Sequence, residues 1–185
     1  MLNIEHLTKK YGNFTAVDDL SLHVERGDIY GFIGANGAGK TTTLRAVAGI
    51  HTFDSGRILI DGADLLEDPI ICKQVTAYIP DNPDLYEHLT GIQYLNFVAD
   101  LYGVSSETRQ ERIRRYGDAL EITPRLGDLI GACSHGMKQK IALISALVHA
   151  PKLLLLDEPF VGLDPRAAHT LKQLMAEMCA GGGAI

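Results

Sequence analysis

Between Val17 and Val24 apolar and polar residues alternate, with Val17, Leu20, Leu22 and Val24 as the apolar set. A period near two predicts a half-exposed strand, which pairs with the opening Leu2–Ile4 segment. Gly27-Asp28 reads as a turn and Ile29 to Ile33 as a buried strand. Thr41 to Ala48 follows as a helix closed by Gly49. Ile58 to Ile60 and Val75 to Ile79 read as further strands, separated by turn residues such as Asp61-Gly62.

After Pro80 the period lengthens. Thr90 followed by Gln93 forms a capping box, and Ile92, Leu95, Val98, Leu101 and Tyr102 recur at helical spacing. A second helix, from Ser106 to Leu120, is rich in Arg and Glu and therefore solvated; a third spans Gly136 to His149. Leu153–Leu156 is a short buried strand ending in Asp157-Glu158. Asp164 caps a last helix with Pro165 at its first position, and Leu171, Leu174, Met175 and Met178 form its apolar face. Gly181 to Gly183 stops that helix, and Ala184-Ile185 reads as the first step of another strand.

Strands alternating with helices predict an α/β fold on a mainly parallel sheet, here with an N-terminal antiparallel β segment. The all-helical stretch 82–149 reads as an inserted subdomain in a core formed by 1–81 and 150–185. With 185 residues, one domain is expected. Hydrophobic residues at 46% and charged ones at 22% suit a packed core and exclude a disordered tail or a stapled miniature scaffold. The formal net charge of −6 gives no basic excess, so nucleic acid is not an expected partner. Cys72, Cys133 and Cys179 form no CxxC pair, and an odd count argues for a reducing compartment rather than a disulfide framework. The longest near-continuous apolar run, Ile141 to Val148, is far below the ~20 residues of a membrane span, and the start of the chain has no signal-peptide character.

Two motifs carry chemistry. Gly34-Ala35-Asn36-Gly37-Ala38-Gly39-Lys40-Thr41 fits GxxxxGK[ST] between a predicted strand and helix. Its glycines let backbone N–H groups cradle a phosphate chain at a helix N-terminus. Lys40 brings a point charge to the β- and γ-phosphates, and the Thr41 hydroxyl can ligate Mg²⁺. Downstream, Leu153-Leu154-Leu155-Leu156-Asp157-Glu158 sets two acids at the carboxyl end of a buried strand, where α/β sheets bind ligands. Asp157 is placed to hold Mg²⁺ through water, and Glu158 to polarise an attacking water as general base.

With these motifs the chain resembles the nucleotide-binding subunits of ATP-binding cassette (ABC) transporters over its whole length. The resemblance implies a P-loop NTPase core with an inserted helical subdomain, ATP and Mg²⁺ as cofactors, and ATP hydrolysis that powers transport. It adds Thr42 to the nucleotide set and gives Tyr11 the role of stacking on adenine, where a packing tyrosine is the plainer alternative. Cys133-Ser134-His135-Gly136-Met137-Lys138-Gln139 falls where the family carries its LSGGQ signature. Ser134 and Gly136 match it; Cys133, His135 and Met137 depart. Similar S-x-G-M-K-Q forms occur in the branch that exports drugs and antibiotics. Asp81 stands where the family offers a glutamine to Mg²⁺, and an Asx turn before Pro83 explains it equally well. Val161-Gly162-Leu163-Asp164 matches the family's D-loop, while Asp164 also caps a helix.

The resemblance further implies a head-to-tail dimer, with Ser134 and Gly136 of one copy closing over ATP on the other. It implies a separate membrane permease docked near Asp81 to Tyr94, which would hold the subunit on the inner face of the membrane. Asp84 and Glu87 there either meet a basic coupling element or form a solvated turn. The family's γ-phosphate histidine follows the next strand, and none of the seven histidines here is in that place. The expectation is thus a cassette incomplete at its C-terminus. The alternatives are a nucleotide switch with little turnover and a soluble ABC protein without transport.

Overall fold

The computed structural model describes all 185 residues. They fall into two units. One comprises Met1–Tyr78, Pro151–Asp157 and Met175–Ile185; the other comprises Ile79–Ala150 and Glu158–Leu174.

The first unit is built on strands β1 (Leu2–Tyr11), β2 (Phe14–Val24), β3 (Ser55–Ile60) and β4 (Ala63–Asp64), in the order β2-β1-β3-β4 with every pairing antiparallel. The expected pairing of the chain's start is found as Leu2↔Val24 and Ile4↔Leu22. β2 begins earlier than its alternation predicts, because Gly12 (φ +59) lets the chain turn back directly after Tyr11. Leu2, Ile4, Leu7, Val17, Val24, Ile58 and Ile60 build the core with Ala46 and Val47 of helix α1 (Lys40–Val47). Each such aliphatic side chain contributes about 1.5–3 kcal/mol when fully buried. Helix α2 (Pro69–Val75) and β4 occupy a stretch in which sequence patterning shows only turns. Asp68-Pro69 is a helix-start signal, but the helix is too short to display a period.

Strand β5 (Thr76–Ile79) pairs with β6 (Leu153–Leu156), the latter with the predicted bounds. Beside β6, Ala184 makes a parallel bridge to Leu153. The Ala184 amide donates to Lys152 O (2.8 Å) and the Leu154 amide to Ala184 O (2.9 Å). On its other side Ile185 N donates to Asp28 O (2.9 Å), and Tyr30 N donates to Ile185 O (2.7 Å). Gly183–Ile185 is therefore the start of a strand bonded on both edges. Its neighbour corrects one expectation: Ile29–Ile33 is neither a regular strand nor buried, with Ile33 at 93% exposure. The ladder formed with Gly183–Ile185 reaches only Tyr30.

The second unit holds helices α3 (Gly91–Leu101), α4 (Ser106–Ala119), α5 (His135–Leu147) and the first part of α6 (Pro165–Ala180), with single 3₁₀ turns at Thr123–Arg125 and Ile130–Ala132. The capping box is present: Gln93 N donates to Thr90 Oγ1 (3.3 Å) and Thr90 N to Gln93 Oε1 (2.9 Å). α4 is solvated apart from Ile113 and Gly117, and α5 is the buried helix, with Ile141, Leu143 and Ile144 fully covered. The three cysteines are free and buried, and burial raises each thiol above its ordinary pKa. No helix is long and apolar enough to cross a membrane.

Candidate nucleotide site

The phosphate loop is shaped by two left-handed glycines, Gly37 (φ +81) and Gly39 (φ +84). They differ in their surroundings. A Cβ on Gly37 meets open space, whereas one on Gly39 would lie 2.2 Å from the Ala16 carbonyl oxygen and 3.2 Å from Val17 Cγ2. Gly39 is thus where the loop presses against β2, one residue before α1 begins. Ala16 is the extra residue of a bulge, since Lys9 pairs with Val17 while Lys10 pairs with Thr15. The Lys40 ammonium donates to Gly34 O (2.7 Å) and Ala35 O (2.9 Å), so it is held at the mouth of the loop. Thr41 and Thr42 follow in the first turn of α1, and Thr43 Oγ1 donates to Gly39 O (2.9 Å), fixing the helix start to the loop. Gly34, Asn36, Gly37, Ala38, Gly39, Lys40, Thr41 and Thr42 are therefore one continuous element. Tyr11 stands at the end of the hairpin that Gly39 abuts; it is 46% exposed, with Lys9 Nζ 5.1 Å from its ring centroid.

Asp157, at the end of β6, is 6% exposed, and its Oδ2 is buried without a hydrogen-bond partner. Leaving a carboxylate oxygen so costs several kcal/mol unless something cationic or protic completes it. No group of three or more His, Cys, Asp or Glu gathers anywhere in the chain. A single buried carboxylate oxygen suits Mg²⁺, which takes one or two protein oxygens and completes its shell with phosphate and water. Thr41 and Asp157 carry oxygens of that kind. Glu158 is exposed and holds φ +47, a conformation that costs a non-glycine residue about 1–3 kcal/mol and clusters at active sites.

In the second unit Ser134 caps α5, its Oγ accepting from Met137 N (3.3 Å). Gly136 faces the D-loop: a Cβ there would sit 2.5 Å from Gly162 O. His135 is an exposed residue whose ring lies over Gly162 (φ +78), where a Cβ would be 2.3 Å from His135 Cδ2. Asp164 accepts from Ala167 N (2.8 Å) as the predicted cap and from Lys140 Nζ (3.0 Å); the capping amide, then Lys140, hold its carboxyl below the ordinary range. α5 and the D-loop are therefore pinned at three places. Asp81 is exposed. Glu87 pairs with Lys138 Nζ (2.6 Å), which lowers its pKa.

Lys40, Thr41, Asp157 and Tyr11 thus belong to the first unit, and Glu158, Ser134, Gly136 and Asp81 to the second. Sequence reasoning missed the Lys140 contact to Asp164 and the ring of His135 against Gly162. Both contacts are tertiary and had no local signal.

The family model described as "ABC transporter" matches residues 17–161, a span that takes in the phosphate loop, the Ser134 segment and Asp157-Glu158. The ABC-type transporter ATP-binding protein EcsA of Bacillus subtilis is 36% identical over 185 residues, all of this chain and 75% of the relative. The linearmycin resistance ATP-binding protein LnrL of the same organism is 35% identical over 178 residues, 94% of this chain and 57% of the relative. A solved ATP-binding subunit of an ABC transporter superposes with a TM-score of 0.94 at 36% identity, covering 100% of this chain and 77% of that one. The chain belongs to the ABC transporter family, as an ATP-binding subunit with the P-loop ATPase fold.

Proposed function

We propose that the protein binds MgATP on residues 34–42, hydrolyses it, and uses the cycle to drive export through a separate membrane permease. The observation that carries this reading is that one unit holds both the Lys40 phosphate loop and a buried, unpartnered carboxylate oxygen on Asp157. Loop amides and the Lys40 ammonium exchange their carbonyl partners for phosphate oxygens, and the positive end of α1 adds to the attraction. Thr41 and Asp157 would hold the Mg²⁺, which would supply charge neutralisation to the phosphates. Glu158 accepts the proton of the attacking water and orients it in line with the γ-phosphorus.

Two copies of the chain act head to tail, Ser134 and Gly136 of one presenting an N-terminal helix turn to the γ-phosphate held by the other. Closure excludes water and strengthens every charge interaction in the site. Asp81 would take the metal-sensing place of the family's glutamine, with altered charge. The permease docks at Asp81 to Tyr94, placing the subunit on the inner membrane face. The degenerate signature and the likeness to a linearmycin-resistance subunit favour an exporter of small apolar cargo.

Calorimetry with MgATP, joined to an assay of phosphate release, tests the reading. Lys40→Ala is expected to weaken binding by tenfold or more, and Glu158→Gln to keep binding while release falls about a hundredfold. Binding without release in the unmodified chain would favour a switch. No binding by a folded sample would remove the reading altogether.

A further inference from the structure

We propose that His135 is a positioning residue for Glu158, holding the loop that carries this carboxylate through the contact of its ring with Gly162. It rests on the hydrolysis reading above and gives a part in turnover to a residue at which this chain departs from the family signature.

Glu158 has to be held in place. Its φ of +47 is a backbone conformation that a residue with a side chain keeps only where the surroundings over-determine it. Two overlapping turns follow, with Val161 N donating to Glu158 O (3.1 Å) and Leu163 N to Phe160 O (3.3 Å). They make residues 158–163 one short segment, so what fixes Gly162 also fixes Glu158. The segment buries little of itself: Glu158, Phe160, Val161 and Gly162 are all exposed. Its place therefore depends on a few contacts from neighbouring helices.

Two of these contacts are made by lysines. Lys140 Nζ stands 3.0 Å from Asp164 Oδ2, just past the segment, and Lys172 Nζ stands 5.5 Å from the Phe160 ring centroid. A lysine stem has four rotatable bonds and follows a small shift of its partner. His135 is stiffer. Its short side chain leaves the first residue of the 13-residue helix α5, and its ring lies where a Gly162 Cβ would stand, 2.3 Å from Cδ2 and 2.9 Å from Nε2. Gly136 brings the α5 backbone onto the same peptide, since a Cβ there would be 2.5 Å from Gly162 O. Gly162, left-handed at φ +78, is also the residue of the segment with the most backbone freedom once the ring is removed. Without it the Glu158 carboxylate loses its fixed place, while the phosphate loop, in the other unit, keeps its own. Loss of position at a general base lowers turnover and leaves binding alone.

The test combines steady-state phosphate release with MgATP calorimetry on the full chain. His135→Ala is expected to keep Kd and KM within about twofold and to lower kcat about tenfold. His135→Phe, which keeps a flat ring and removes the ring nitrogens, should restore most of that loss. In a Glu158→Gln background His135→Ala should cost nothing further, because no base is left to position. Unchanged kcat in His135→Ala overturns the proposal, as does an equal loss in affinity and turnover. A loss that His135→Phe does not repair overturns it as well, since the imidazole nitrogens would then act in their own right. None of these outcomes touches the hydrolysis reading. If the unmodified chain binds MgATP without releasing phosphate, that reading falls and takes the role of His135 with it.

Discussion

At the scale of single residues, the glycines separate by what surrounds them. Gly37 and Gly39 share a left-handed backbone and one motif, but only Gly39 has a backbone oxygen 2.2 Å from where a Cβ would stand. Gly37→Ala should cost about 1–2 kcal/mol, the strain of the backbone alone. Gly39→Ala must also displace Ala16 and should cost about 3 kcal/mol or more. Urea denaturation of the two variants checks the ranking, and equal losses would refute the close-approach argument. At Gly162 the obstacle is a side chain instead, the His135 ring. Gly162→Ala should therefore be destabilising alone and partly rescued by His135→Ala in the double variant, with a coupling of about 1 kcal/mol or more in a double-mutant cycle. Additive losses would show that the ring and the D-loop are independent. The sequence marks these glycines as a motif, because spacing is local. Which of them is crowded depends on Ala16 and His135, which arrive from other elements, and spacing carries no trace of that.

Elements were legible in proportion to how much of their specification is local. The capping box at Thr90 and Gln93, the Asp164 cap and the whole of β6 are set by residues within a few positions of one another, and each appears where patterning puts it. α2 and β4 were not legible, being too short to show a period. Ile29–Ile33 failed for the opposite reason. Its apolar content is that of a buried strand, but a strand is completed by neighbours, and here the neighbour pairs only as far as Tyr30.

For the molecule as a whole, the response to acid is a matter of the carboxylates that the fold holds ionised, and Asp61 in the first unit is one of them. Asp61, in the turn after β3, pairs with Arg26 and with Lys152, whose Nζ is 2.6 Å away at the start of β6; its side chain is only 15% exposed. These contacts tie together three stretches distant in sequence. The hydrogen bond from Lys152 is the main cause that holds the Asp61 carboxyl below its ordinary 3.8. A lowered carboxyl pKa means that the unfolded chain takes up the proton first. The pair therefore stabilises the fold above about pH 4, and the contribution drains away as the pH falls through the lower, folded value. Lys152→Met should be less stable than the unmodified chain at pH 7, by an amount that shrinks below pH 4 and nears zero once Asp61 is protonated in both states. Urea titrations at pH 7, 4.5 and 3 measure that gap. A gap of the same size at pH 3 would mean that Lys152 acts through packing of its stem against the β3–β4 turn, and that the charge pair contributes nothing to joining β6 to the antiparallel sheet.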